Sequence, residues 1–256
     1  MGSNPAIPTI EDRTAGFARS LPSLFSRQGA EVLDPFLHWL GYGLCHQLPG
    51  RSFFAGGVQL PVCARDTGIY AGFAMSLLVI AMLEKSRRPT RLPAPWLMVL
   101  GGAGVVAMAV DGVTSYAGIR ETTNAVRLAT GLAAGWALPL VVVPMLNGQM
   151  WRRMDDAPLL SARRGLWWLA GLVASYAVLY WVMPETGLVY PLSVAGAIIV
   201  TLTAVNLVFV TLAPPFERAA DGLRAAWRQL ALAGLLTVAE LLLAGWLRAW
   251  LERIAS

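Results

Sequence analysis

The stretch Gly68–Arg91, GIYAGFAMSLLVIAMLEKSRRPTR, decides the fold. Its apolar run at 68–84 carries no charge before Glu84 and approaches the ~20 residues that the hydrocarbon core of a bilayer requires. It ends in a loop holding Lys85, Arg87, Arg88 and Arg91. A long apolar run stopped by a basic cluster reads as a transmembrane helix whose end rests at a charged membrane face.

Similar runs recur at about 94–110, 124–147, 165–183, 188–213 and 229–251. Backbone groups in lipid must bond within their own segment, and nothing here alternates like barrel strands, so the runs are helices. The expected fold is all-α, a polytopic membrane bundle of six or seven spans. The seventh would be Asp34–Leu48, about as long as an interfacial or re-entrant helix and interrupted by Asp34, His38 and His46. Residues 1–33 read as a loose or interfacial tail with no cleavable signal, residues 34–256 as one membrane domain, and 34–67 as its extracytoplasmic or re-entrant motif segment.

Composition agrees. The chain has 256 residues, 56% hydrophobic and only 14% charged, with a mean hydropathy of +0.57. Soluble domains carry roughly a quarter of their residues as charges. The net charge of +5 comes mainly from arginines in short loops, a topology signal, so nucleic acid is not expected as a partner; membrane lipids are. Trp96, Trp151, Trp167, Trp168, Trp246 and Trp250 lie near span ends, as interfacial anchors do.

Loop charge sets orientation. Lys85, Arg87, Arg88 and Arg91 fill the first loop, Arg152, Arg153, Arg163 and Arg164 the third, and Arg218, Arg224 and Arg228 the fifth. The turn PETG at 184–187 has no basic residue, and Asp111–Thr123 has only Arg120. The positive-inside rule then places the odd loops in the cytoplasm. The segment before the first span and the Asp111–Thr123 turn share the extracytoplasmic face of a multi-pass cell-membrane protein.

Two polar clusters therefore face the same side. In the first, Cys45 and His46 are adjacent, and Cys63 and Asp66 follow at the threshold of the first span. Thiolate, imidazole and carboxylate are all ligands for zinc, and four of them close a tetrahedral site; zinc or iron is the expected ion. Two other readings stand beside it. Cys45 and Cys63 as a disulfide would close a loop of about 18 residues, worth roughly 3 kcal/mol. Alternatively the residues are structural, with Asp66 as a helix N-cap. Arg51 and Arg65 flank the cluster, as lipid-headgroup contacts or as phosphate-binding forks.

The run CHQLPGRSF…LPVCARDTGIYAG at 45–72 resembles the signature of an uncharacterised family of bacterial and archaeal integral membrane proteins. That pattern is approximately Cys-His-Gln-x-Pro-x-Arg-Ser-Phe, then Pro-x-Cys-Ala-Arg-Cys-Thr-Gly-Ile-Tyr-x-Gly. A second block resembles the DG-x-T…R…N-x-x-R-x-x-TG run that begins at Asp111. The resemblance covers about the first half of the chain and implies a helical membrane fold, with no activity attached. Asp66 stands where the family pattern has a second cysteine. The dithiol chemistry natural to that pattern is thereby disfavoured, whereas a metal site with a carboxylate ligand survives.

In the second cluster Arg120, Asn124, Arg127, Gly131 and Gly135 fall at i, i+4, i+7, i+11 and i+15, one helix face. Arginines entering a span are costly in lipid, so this face should point into the bundle, where Gly131 and Gly135 admit a close neighbour. Asp111 or Glu121 paired with Arg120 or Arg127 would fix two helices. On a functional reading Arg120 and Arg127, with Arg51 and Arg65, grip an anion, Asn124 and Thr114 add hydrogen bonds, and Asp111 is a general base or further metal ligand. Glu240, mid-span in TVAELLLAG, is an intramembrane acid.

These residues point first to a metal-dependent enzyme acting on a lipid-linked or amphiphilic anion. A non-catalytic subunit or assembly factor of a membrane complex, bound to partner subunits, and a proton-coupled transporter relying on Glu240 are the alternatives.

Overall fold

The computed structural model describes residues 27–85 and 87–255. The expected tail at 1–33 falls mostly outside them, and its last part instead begins a helix, α1 (Arg27–Tyr42). After it come a short hairpin, β1 (Phe54–Ala55) and β2 (Val58–Gln59), then α2 (Ala64–Glu84), β3 (Pro89–Arg91) and α3 (Pro95–Tyr116). The chain continues through α4 (Asn124–Ala137), α5 (Pro139–Met150), β4 (Asp155–Pro158), α6 (Ala162–Ala177), α7 (Val189–Leu212) and α8 (Trp227–Ala255).

Among the described residues, six helical segments are long and apolar enough to cross a membrane: α2, α3, α4 with α5, α6 prolonged to Thr186, α7 and α8. The protein is a polytopic helical bundle. At 1.5 Å per residue, the 16 residues of α1 extend about 24 Å, short of the ~30 Å hydrocarbon core, which accounts for its absence from the six. The fourth and fifth helices form one span divided at Leu138, because Pro139 contributes no N–H to the helical ladder.

The closest packing is between α2 and α4. A Cβ on Gly131 or Gly135 would lie 2.0 Å from the carbonyl oxygen of Arg65 or Ile69. The reciprocal pair is Gly68 and Gly72, where a Cβ would meet backbone atoms of Leu128 and Leu132 at 2.5 to 2.9 Å. Two small-xxx-small ridges thus interlock and bring the backbones together where larger side chains would hold them apart.

The three basic loops meet at one end. Parallel pairing of β3 with β4 joins the first to the third, and a bridge from Trp151 to Ala220 joins the third to the fifth. Buried Glu84 accepts hydrogen bonds there from the Leu160 N–H at 2.9 Å and from Arg164. Trp168 departs from the interfacial expectation: it is buried, tilted against Trp136, and donates to Ser76 Oγ at 2.9 Å.

The motif segment lies at the opposite end and belongs to the core. Val58, Leu60 and Val62 pack with Leu37, Leu40, Leu128, Leu132, Tyr190 and Ile198. Gly56 and Gly57 turn the hairpin with φ of +61° and +79°, the left-handed pair that a two-residue loop requires.

Candidate metal and anion site

Buried Gln47 holds the motif segment in place. Its side-chain amide donates to the carbonyls of His38 and Pro61, both at 2.8 Å, and its backbone carbonyl accepts from the Gln59 side chain at 2.8 Å. Arg248 of α8 donates to the carbonyls of Tyr42 and Cys45 at 2.6 and 2.7 Å, tying the last span to the segment. Cys45 Sγ accepts the N–H of Cys63 at 3.3 Å, and Cys63, at the N-cap position of α2, donates its thiol to Asp66 at 3.2 Å.

Ligand atoms of Cys45, Cys63 and Asp66 all lie within 4.8 Å of one another. Two sulfurs bound at the usual ~2.3 Å to one tetrahedral zinc would sit roughly 3.8 Å apart, so small shifts convert the cluster into three ligands. His46, the fourth expected ligand, is exposed and not among them. Both cysteines are free thiols. The hydrogen bond between them drives the Cys63 thiol up, reinforced by burial and the Asp66 carboxylate, and holds Cys45 below the ordinary thiol range. The Cys63 thiol proton is directed to Asp66 while Cys45 Sγ accepts the Cys63 N–H, and the place of that thiol proton is one a cation can take over.

The second cluster is built differently from its sequence pattern. Thr123 caps α4 by accepting the N–H of Val126, so Arg120 stands before the helix and not on its face. Asp111 lies on α3, which runs on to Tyr116, and is almost wholly buried. Arg65 donates to its Oδ2 through Nε at 3.1 Å and Nη2 at 2.6 Å, Thr130 at 3.3 Å, and Arg120 to its Oδ1 at 2.6 Å. With both oxygens engaged, Asp111 is placed as an anchor for two arginines and not for a general base's role.

Arg127 is buried, at 8% exposure, and lacks a carboxylate partner among the described residues. It donates to Asn124 Oδ1 at 3.0 Å and to Ser115 Oγ at 3.5 Å. Asn124 in turn donates to the Ser52 carbonyl at 3.3 Å, linking α4 to the motif segment. Thr114, expected to assist, turns back on its own helix and donates to the Val110 carbonyl at 2.7 Å; its neighbour Ser115 faces the site. Arg51 lies over the Tyr116 ring at 5.3 Å.

Three hollows share these walls. A chamber of about 10 Å³, near the minimum for one water, is lined by Cys45, His46, Gln47, Cys63, Arg65 and Arg127, with Arg51 and Tyr116. A pocket of about 580 Å³ shares Leu48, Arg51 and Arg127 with it and is lined further by Ser115, Arg120 and Thr122. A groove of about 530 Å³ opens between α2 and α3, bounded by Cys63, Arg65, Asp66 and Tyr116. Arg127 and Cys63 thus line one chamber despite their separation along the chain. Glu240 does not join it: exposed near the middle of α8, it accepts from Asn206 at 3.1 Å. The signals that sequence reading passed over were Gln47, inside the quoted CHQ, and Ser115, next to the residue selected.

The fold and these linked hollows define a multi-span helical membrane protein with a polar site at one end of its bundle. Residues 45–141 match a family described as "Predicted membrane protein (DUF2085)". The chain is 33% identical over 110 residues to an uncharacterised protein of Methanocaldococcus jannaschii, covering 43% of this chain and 68% of that one. An uncharacterised protein of Methanothermobacter thermautotrophicus is 37% identical over 99 residues, 38% of this chain and 83% of its own length. The chain belongs to this family of predicted membrane proteins. No solved structure matches it.

Proposed function

We propose that the protein is a metal-assisted membrane enzyme acting on an amphiphilic anion at the extracytoplasmic face. The observation that carries the reading is the shared chamber: Cys45 and Cys63, two of the three potential metal ligands, line the same small hollow as Arg127, a buried arginine without a carboxylate partner among the described residues. Three protein ligands leave a coordination position open, as in catalytic zinc sites, and a bound zinc or iron would polarise an oxygen or activate water. The chain's own contribution is positioning. Arg127 and Arg51 receive the anionic group, Asp111 holds Arg65 and Arg120 at adjacent hollows of the site, and Asn124 with Ser115 fixes the Arg127 guanidinium.

The basic loops gathered at the other end support the orientation, since they mark the cytoplasmic side under the positive-inside rule. The test is turnover of anionic membrane lipids, followed by mass spectrometry, in vesicles containing the purified protein and zinc or iron. Conversion lost in Cys63→Ser and Arg127→Ala, and kept in Arg87→Ala, supports the reading. A metal-free protein carrying a Cys45–Cys63 disulfide overturns it.

A second reading, a subunit of a membrane complex, draws on α8. Glu240 is exposed near the centre of that helix, where a carboxyl facing lipid is costly and a partner helix would cover it. Copurification of a stoichiometric partner, lost in Glu240→Leu, would favour it.

A further inference from the structure

The groove between α2 and α3 is where the proposed site meets the bilayer. Its mouth is polar: Cys63, Asp66 and Arg65 from the start of α2, and Tyr116 from the end of α3. Its floor and walls are Ile69, Met108, Ala109, Gly112 and Val113, all inside membrane-spanning segments. From Tyr116 to Met108 the wall descends eight residues of helix, about 12 Å, most of the ~15 Å depth of one leaflet. A pocket serving only water-soluble anions has no need of an apolar extension running toward the midplane.

The mouth offers a specific contact. Arg65 gives Nε and Nη2 to Asp111, while its Nη1 lies 3.9 Å from where a side chain on Gly112 would begin. That nitrogen has no acceptor among the hydrogen bonds of the described residues, so the guanidinium keeps a donor turned toward the groove. Gly112 supplies the space: nothing else lies within 4 Å of the position of its missing Cβ.

We infer that this groove holds one hydrocarbon chain of an anionic single-leaflet lipid, with the phosphate or carboxylate head at Arg65 and beside the Cys63–Asp66 ligands. The inference rests on the functional reading above and specifies how its substrate enters: sideways from the membrane. An exposed apolar cleft commits to this occupant because charge sits at one end and lipid depth at the other.

The test uses a lysophosphatidate carrying a diazirine midway along its chain, photolysed with the purified full-length protein in nanodiscs. Labelling should concentrate on Ile69, Met108, Ala109 and Val113, and be competed by unlabelled lysophosphatidate. Gly112→Phe should reduce it at least tenfold, with Ala109→Phe as a second obstruction and Gly102→Phe, on the same helix but outside the groove, as the control that leaves it intact. A neutral monoacylglycerol probe should label these residues at least tenfold less. Labelling spread evenly over lipid-facing helices, or insensitive to both phenylalanines, overturns the groove; equal labelling by the neutral probe overturns its anionic selectivity. Zinc bound to the same samples is counted in parallel. Groove labelling without zinc supports the lipid site and removes the metal from the functional reading; zinc without groove labelling does the reverse.

Discussion

Arg65 places two of its guanidinium nitrogens on a single oxygen of Asp111, at 3.1 and 2.6 Å, joining the first two membrane spans from inside. Both side chains are nearly excluded from solvent. Removing one partner of such a pair strands the other charge, at a cost of about 3–5 kcal/mol. Asp111→Ala should lower unfolding stability in detergent by that amount, whereas Arg120→Ala, whose guanidinium is half exposed, should leave it nearly unchanged. Similar losses from the two variants would show that the buried pair is not what anchors these spans.

The glycine ridges make a steeper prediction. At Gly131 and Gly135 even a methyl group would overlap a backbone carbonyl of α2, and neither helix can yield without breaking the contact. Gly131→Leu should prevent the α2–α4 contact and lower the yield of monodisperse protein severalfold. Gly102, with open space around it, should accept the same change. Size-exclusion profiles of the two variants decide the matter.

For the anion, Arg127 is the discriminating residue. A charge-assisted hydrogen bond contributes roughly 1.5–3 kcal/mol, so Arg127→Ala should weaken stabilisation by inorganic phosphate about 10- to 100-fold in apparent affinity. Arg127→Lys should recover part of it, since the charge remains without the planar fork. Phosphate-dependent thermal shifts unaffected by either change would place the anion elsewhere.

Thiol chemistry gives a signed pH dependence. The Cys63 thiol is raised by its hydrogen bond to Cys45, by burial and by Asp66, so it remains protonated until a cation displaces the proton. Zinc affinity should therefore rise with pH, about tenfold per unit for one proton released, and fall as the solution is acidified. Without metal, Cys45, held below the ordinary thiol range, should be alkylated before Cys63. Chelator competition across pH and mass spectrometry of partly alkylated protein test the two statements; flat affinity or the reverse order of alkylation contradicts them.

The spans were legible because lipid imposes length and apolarity on every helix, and Gly131 and Gly135 were legible because close approach needs small residues at helical spacing. The clustering of Cys45, Cys63 and Asp66 followed from their sharing one end of one span. Partner choice within the bundle was not legible. Arg65 looked like a free anion ligand because no local pattern shows that Asp111, distant along the chain, turns toward it. Thr114 and Ser115 differ by one position, a rotation of about 100° on a helix, and composition does not say which faces inward. The i, i+4, i+7 spacing alone puts Arg120 on the helix face, whereas Thr123, a threonine before an apolar helical run, is the start signal that leaves Arg120 outside it.

Stoichiometric metal analysis with X-ray absorption on the zinc-loaded, full-length protein reaches the central claim most directly. One zinc per chain is expected, with two sulfur neighbours near 2.3 Å and an oxygen near 2.0–2.2 Å. That signal should vanish in Cys63→Ser and persist in His46→Ala. Reduced protein that binds no zinc, or a zinc whose coordination sphere contains no sulfur, would contradict the account.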